Sequence, residues 1–280
     1  MTLFRTSRLA LSLLLPVLAL PAAAHDFWLR PSQFQMDAPG EQVLRFEVGH
    51  PHELSPWPLT PWRTISLQSF GPDGVRDQQS GVPEEDEPLA GRGAARVRFD
   101  APGVYIVAFE GRIALSELPV ERFLDYARKE GLSPILARHE GREDAGIETY
   151  SRRGKAYVRV GEAESAGGET YLTEPLGHTL ELVPNTDPTR LSSGDTIPLT
   201  VHWQGEPLAG ARVSFGPIGD TPGADGEREA QTSDRDGRVA FTVPGEGEWM
   251  AHVIWSRVLP DSQEADYDTV FSSLSFSARD

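Results

Sequence analysis

Short segments in which apolar and polar residues alternate, separated by turns rich in glycine and proline, are the feature that most restricts the fold of this chain. Alternation with a period of two residues is typical of β-strands that bury one face. Such segments occupy residues 41–48, 63–68, 95–99, 104–109, 180–183, 197–203, 211–215, 237–243, 248–255 and 269–276. Their even spacing predicts a mainly β protein built from β-sandwiches.

The predicted strands form two groups, and residues 97–105 of the first resemble residues 239–245 of the second. We therefore predict an N-terminal β-sandwich domain at 25–172 and a C-terminal one at 173–280. Residues 205–211 resemble a transthyretin-like sandwich, so we expect Ig-like or transthyretin-like domains. In residues 118–141 the apolar positions recur at helical spacing and Pro134 divides them. This predicts a short helical insertion near the end of the first domain.

The first 24 residues have the three parts of a secretory signal peptide. Arg5 and Arg8 precede an apolar run at 9–20, and residues 21–24 are small. The run is shorter than the roughly 20 residues that cross a bilayer. We expect cleavage after Ala24, export to a periplasm, and a mature chain that starts at His25 and has no membrane span.

Charge and cysteine content exclude several functions. The formal net charge is −16, whereas a nucleic-acid-binding protein needs a basic surface, so we expect no nucleic-acid partner. The chain has no cysteine, so any metal site must use His, Asp, Glu, Met or backbone donors. No phosphate-binding loop, nucleophile elbow or His-Glu-x-x-His motif is present, and we do not expect an enzyme.

His25 is the most distinctive candidate metal ligand. After cleavage, its α-amine and its imidazole Nδ1 would form a six-membered chelate, which supplies two nitrogen donors from one residue. Such a site suits Cu²⁺ or Ni²⁺, which favour tetragonal nitrogen and oxygen ligation. The alternative is that the cleavage site simply happens to precede a histidine.

Three more histidines are candidate ligands. His50 and His52 follow a predicted strand and lie two residues apart, so their side chains would point to the same side. His252 shares a strand face with Met250 and Ile254. The alternatives are exposed loop histidines at 50 and 52 and a partly buried histidine at 252.

The remaining histidines are not candidate ligands. The pattern around His178 predicts a packed side chain, and the pattern around His202 predicts a solvated one. His139 falls in the helical insertion, which we expect to be polar.

Several motifs resemble the DUF4198 family over essentially the whole mature chain. They include Ala-His-Asp-Phe-Trp-Leu at 24–29, Gly-His-Pro at 49–51, Glu-Thr-Tyr-Ser-Arg at 148–152 and Gly-Glu-Pro-Leu-Ala-Gly-Ala at 205–211. The resemblance implies an exported β-sandwich protein linked to nickel or cobalt uptake. It also implies that His25 and His50 are metal ligands.

The leading hypothesis is a periplasmic protein that binds nickel or cobalt, with copper as a further candidate, and delivers the ion to a membrane transporter complex. A second hypothesis is a copper-dependent oxidase that uses an N-terminal histidine brace. A third is a structural or interaction module of the cell envelope that binds no metal.

Overall fold

The computed structural model describes residues 26–50, 53–162, 169–219 and 228–280, without the side chains of His50 and Glu53. The strands of the first part are β1 (Asp26–Pro31), β2 (Gln35–Met36), β3 (Gly40–His50), β4 (Glu53–Pro56), β5 (Thr64–Gly71), β6 (Gly74–Asp77), β7 (Ala94–Phe99), β8 (Gly103–Gly111), β9 (Ala114–Leu118) and β10 (Gly146–Val160). Those that follow are β11 (Leu180–Pro184), β12 (Thr196–Trp203), β13 (Glu206–Pro207), β14 (Arg212–Pro217), β15 (Glu229–Thr232), β16 (Arg238–Thr242), β17 (Gly247–Val258) and β18 (Tyr267–Ala278).

These strands form three sheets in the described ranges. The first sheet has the order β1-β3-β4, with β7 also paired to β3. The central sheet has the order β15-β14-β17-β18-β10-β8-β5-β6, with β2 and β9 also paired to β10. The third sheet has the order β11-β12-β13, with β16 also paired to β12. The mainly β, sandwich-like fold predicted from the alternation is confirmed.

Strand β10 joins the two halves of the chain. It pairs with β8 in antiparallel orientation and with β18 in parallel orientation, from Glu148 opposite Tyr267 to Ala156 opposite Ser275. Strands from both predicted domains therefore share the central sheet. The division at residues 172 and 173 stays a prediction.

The central sheet is covered on both faces. One face contacts the first sheet through a core that includes Phe27, Phe46, Phe109, Val158 and Met250. The other contacts the third sheet through a core that includes Ile106, Leu182, Val201, Phe215, Trp249 and Leu274. Because successive residues of a strand point to opposite faces, Trp249 and Met250 belong to different cores.

The predicted helical insertion is also confirmed. The helices are α1 (Pro88–Gly91), α2 (Val120–Glu130) and α3 (Ser133–His139), and short 3₁₀ turns lie at Pro61–Arg63, Gln79–Gly81, Thr170–Leu172 and Pro188–Arg190. Helix α2 ends at Gly131, whose φ of 69° suits a residue without a Cβ. Helices α2 and α3 cover the part of the central sheet that the first sheet leaves open, where Phe123 and Ile135 pack against Phe271.

No helix in the described ranges combines the length and the apolar character that crossing a membrane requires.

Candidate functional site

The four predicted metal ligands differ in how far the structure describes them. His25 and His52 lie outside the described residues, and His50 is described by its backbone alone. His252 lies in β17 and is almost fully buried, with 1% of its surface exposed. The predicted ligand set therefore stays a prediction. The structure describes the strands next to His25 and His50 and the residues around His252.

The start of β1 lies beside the end of β3. The two strands are antiparallel, and Asp26 is opposite Gly49. On its other side β3 pairs with β4, so that His50 is opposite Glu53. Gly49 has a φ of 143°, a value that glycine adopts far more readily than other residues. The backbone thus places Asp26 next to the residue that precedes His50.

The carboxylate of Asp26 is buried between a histidine and an arginine side chain. One oxygen lies 3.0 Å from Nδ1 of His252, and the other forms an ion pair with the Arg228 guanidinium. The Arg228 side chain packs against Gly216, because a Cβ added at Gly216 would lie only 2.5 Å from Cγ of Arg228. The Arg228 guanidinium also lies 5.9 Å from the ring of Trp28. These contacts fix the position of Asp26, the first described residue of β1.

The electrostatics of the cluster keep His252 neutral. Burial, and then the nearby cations Arg228 and Arg152, hold the pKa of His252 well below its usual value of 6.5. Burial also lowers the pKa of Arg228 to about 10, which still leaves the guanidinium charged at neutral pH. The contact between His252 and Asp26 is therefore a hydrogen bond from a neutral imidazole, whereas the contact with Arg228 is an ion pair.

The arrangement orients the imidazole of His252. Because Nδ1–H faces a carboxylate, Nε2 carries the lone pair, and it forms no hydrogen bond within the described part of the chain. A carboxylate behind a histidine has the same effect in metal sites, where it orients the ring and makes the other nitrogen a better donor. Nevertheless, no group of three or more His, Asp or Glu side chains in the described ranges is placed to hold a metal ion.

The other three histidines differ in their burial and contacts. His139 contradicts the expectation of a polar insertion because it is fully buried: its Nδ1 lies 3.3 Å from the Tyr267 hydroxyl and its Nε2 lies 3.1 Å from the Asp144 carbonyl oxygen. His178 is buried as predicted, and burial lowers its pKa to about 4. His202 is half-buried, with Nδ1 3.2 Å from the Gly205 carbonyl oxygen.

A second buried polar cluster was not predicted from the sequence. Glu148 accepts a hydrogen bond of 2.5 Å from Thr269, whose hydroxyl lies 2.8 Å from that of Ser256. Burial raises the pKa of Glu148 to about 7, although Thr269 and Arg152 act in the opposite direction. The signal in the sequence is the presence of four charged residues, at 148, 152, 153 and 155, in a segment that also contains β-forming tyrosine and valine residues.

The fold and the site define a mainly β protein of stacked sheets, with a buried carboxylate, histidine and arginine cluster at the start of its first strand. The chain belongs to the DUF4198 family, described as a domain of unknown function, whose model matches residues 22–257. The resemblance found in the sequence is confirmed.

Comparisons with solved structures give distant similarities. A two fibronectin type-III domain segment from chicken tenascin is 12% identical with a TM-score of 0.23, over 90% of this chain and 97% of that chain. The D0-D1 domain of intimin is 11% identical with a TM-score of 0.21, over 90% of this chain and 97% of that chain. No curated protein matches the chain. The fold class is therefore defined by the sheets of the chain itself.

Proposed function

We propose that the exported protein binds one divalent transition-metal ion between His25 and His50, at the end of the first sheet. The observation that carries the proposal is the pairing of Asp26 with Gly49. In an antiparallel pair the residue before one partner faces the residue after the other. His25 precedes Asp26 in the sequence and His50 follows Gly49, which is why we expect the two histidines to share one ion.

The ligands in this proposal are nitrogen atoms. After cleavage behind Ala24, His25 supplies its α-amine and imidazole, and His50 supplies a second imidazole, while His52 is a further donor two residues later. Nitrogen donors without thiolates suit Ni²⁺, Co²⁺ and Cu²⁺. The bound ion would be cargo, which the protein delivers to a transporter in the membrane. The family resemblance and the expected signal peptide support this role.

Asp26 and His252 are positioning residues in this proposal. Asp26 already interacts with His252 and Arg228, so its carboxylate is committed to holding β1 in place. A buried, fully paired side chain directly after His25 limits the motion of the chain at that point. The entropy lost when His25 and His50 meet at one ion is correspondingly smaller.

Isothermal titration of the mature protein with Ni²⁺, Co²⁺, Cu²⁺ and Zn²⁺ tests the proposal. We expect His25→Ala, made with the cleavage site preserved, and His50→Ala each to weaken binding by roughly 100-fold or more, because each removes a direct ligand. His202→Ala is the matched control, since His202 lies in the third sheet. Affinity that is unchanged in both His25→Ala and His50→Ala would contradict the proposal.

A further inference from the structure

A cavity of about 130 Å³ lies where the turn after β4 meets the starts of β9 and β10. Its walls include three aromatic and three basic side chains, which define the tryptophan–arginine pocket: Trp57, Trp62, Tyr150, Arg63, Arg112 and Arg152. None of these residues belongs to the proposed metal site. Trp62 is 57% exposed, an unusual state for a large aromatic side chain.

The charge of the pocket is opposite to that of the protein. The chain has a formal net charge of −16, yet the described residues that line the pocket include three arginines and no carboxylate. Within the described part of the chain, neither Arg63 nor Arg112 forms an ion pair. An uncompensated pair of guanidinium groups in an acidic protein favours an anionic ligand.

Two of the three arginines, Arg63 and Arg152, lie over aromatic rings of the pocket. The Arg63 guanidinium lies 4.7 Å from the ring of Trp62 and 5.8 Å from the ring of Trp57. The buried Arg152 guanidinium lies 5.1 Å from the ring of Tyr150. Stacking of this kind holds the charged groups in fixed directions and leaves flat apolar surface beside them.

The size of the pocket restricts the ligand. A cavity of about 150 Å³ in another protein holds benzene, so the space here suits one six-membered ring. We propose that the tryptophan–arginine pocket binds a small monocyclic carboxylate. The ring lies against Trp57 and Trp62, and the carboxylate pairs with Arg63 and Arg112. Apolar walls with a few fixed polar groups are the usual composition of a small-molecule site.

Calorimetric titration of the full mature chain with benzoate tests this proposal, and benzamide is the neutral ligand of the same shape. We expect saturable binding of benzoate and affinity for benzamide at least about 10-fold weaker, because the amide gives up the charge-assisted hydrogen bonds. Arg112→Gln should weaken benzoate binding by about 10-fold. Arg92→Gln, which removes an exposed arginine outside the pocket, should leave it unchanged.

Trp62→Ala provides an independent test of the ring position. Since Trp62 is largely exposed, its replacement should leave the fold intact while it weakens binding of both benzoate and benzamide. The proposal is overturned if benzoate shows no saturable binding up to about 10 mM, a concentration that would detect even a weak fragment. It is also overturned if benzamide binds equally well, if Arg112→Gln has no more effect than Arg92→Gln, or if Trp62→Ala leaves affinity unchanged.

Discussion

Replacement of Glu148 by Gln should make the protein more stable at alkaline pH. Glu148 is 1% exposed, and its Oε2 accepts the 2.5 Å hydrogen bond from Thr269. Its Oε1 forms no hydrogen bond with the described residues. A buried carboxylate with one unsatisfied oxygen is costly to ionise, whereas the glutamine amide has the same shape and carries no charge.

The magnitude follows from the pKa of Glu148, which burial raises from 4.5 to about 7. This change corresponds to about 3 kcal/mol of free energy of unfolding. Since the folded state favours the protonated carboxyl, the contribution is fully present below pH 4.5, the usual pKa, and is lost as the pH rises through about 7. The glutamine side chain does not titrate, so the stability of the variant should not fall for this reason as the pH rises.

Urea unfolding of both proteins, followed by tryptophan fluorescence from about pH 4 to about pH 8, measures the difference. We expect the stability of Glu148→Gln relative to the wild type to rise by about 3 kcal/mol across that range. The exposed Glu174 supplies the control variant Glu174→Gln, which should follow the wild type throughout. A constant difference between Glu148→Gln and the wild type at all pH values would refute the reasoning.

Two further predictions concern strand β10, which pairs with strands from both halves of the chain. Lys155→Met should cost about 3–5 kcal/mol because it leaves Glu181, 1% exposed and paired to Lys155 at 2.8 Å, without its partner. The double variant Lys155→Met with Glu181→Gln should lose less free energy of unfolding than Lys155→Met alone. Denaturant unfolding measures both losses, and equal losses in the single and double variants would contradict this prediction. Gly154→Ala should cost about 1–3 kcal/mol, because the new Cβ would lie 2.9 Å from Cγ of Leu29. The control Gly245→Ala meets no atom within 4 Å, so similar melting temperatures for the two alanine variants would argue against tight packing at position 154.

The sequence predicted most strands within a few residues because one apolar face leaves a clear alternation. Residues 104–109, for example, lie inside β8 (Gly103–Gly111). Strand β10 was missed because it is buried on both faces and carries Arg152, Arg153 and Lys155. Each of these charges is accommodated only in the tertiary structure. Lys155 pairs with Glu181, and Arg153 lies 2.9 Å from Glu110, so the residues that permit burial are distant in sequence.

The Lys155–Glu181 pair illustrates why such burial is tolerated. Burial alone would raise the pKa of Glu181, but Lys155 and the backbone N–H of Leu176 lower it below the usual value. The N–H groups of Gly177 and His178 also donate to the same carboxylate. A charge with this many donors stays ionised inside the protein, and alternation of apolar residues gives no indication of it.

The candidate site was predictable in part. Histidine positions identified His252 as a residue on a packed strand face, but nothing in the sequence connected it with Asp26 or Arg228, which lie far from it along the chain. From the sequence, His139 is expected to lie in a polar helical insertion. Its burial depends on Phe123 and Tyr267, whose rings contact the imidazole from another helix and from the central sheet.

The most direct test of the metal-binding proposal is native mass spectrometry of the protein, expressed from the full sequence and purified after equal exposure to Ni²⁺, Co²⁺, Cu²⁺ and Zn²⁺. The proposal predicts a chain that begins at His25 with one bound ion, and loss of that ion in His25→Ala and His50→Ala but not in His202→Ala. A chain that begins at His25 and carries no metal would contradict it.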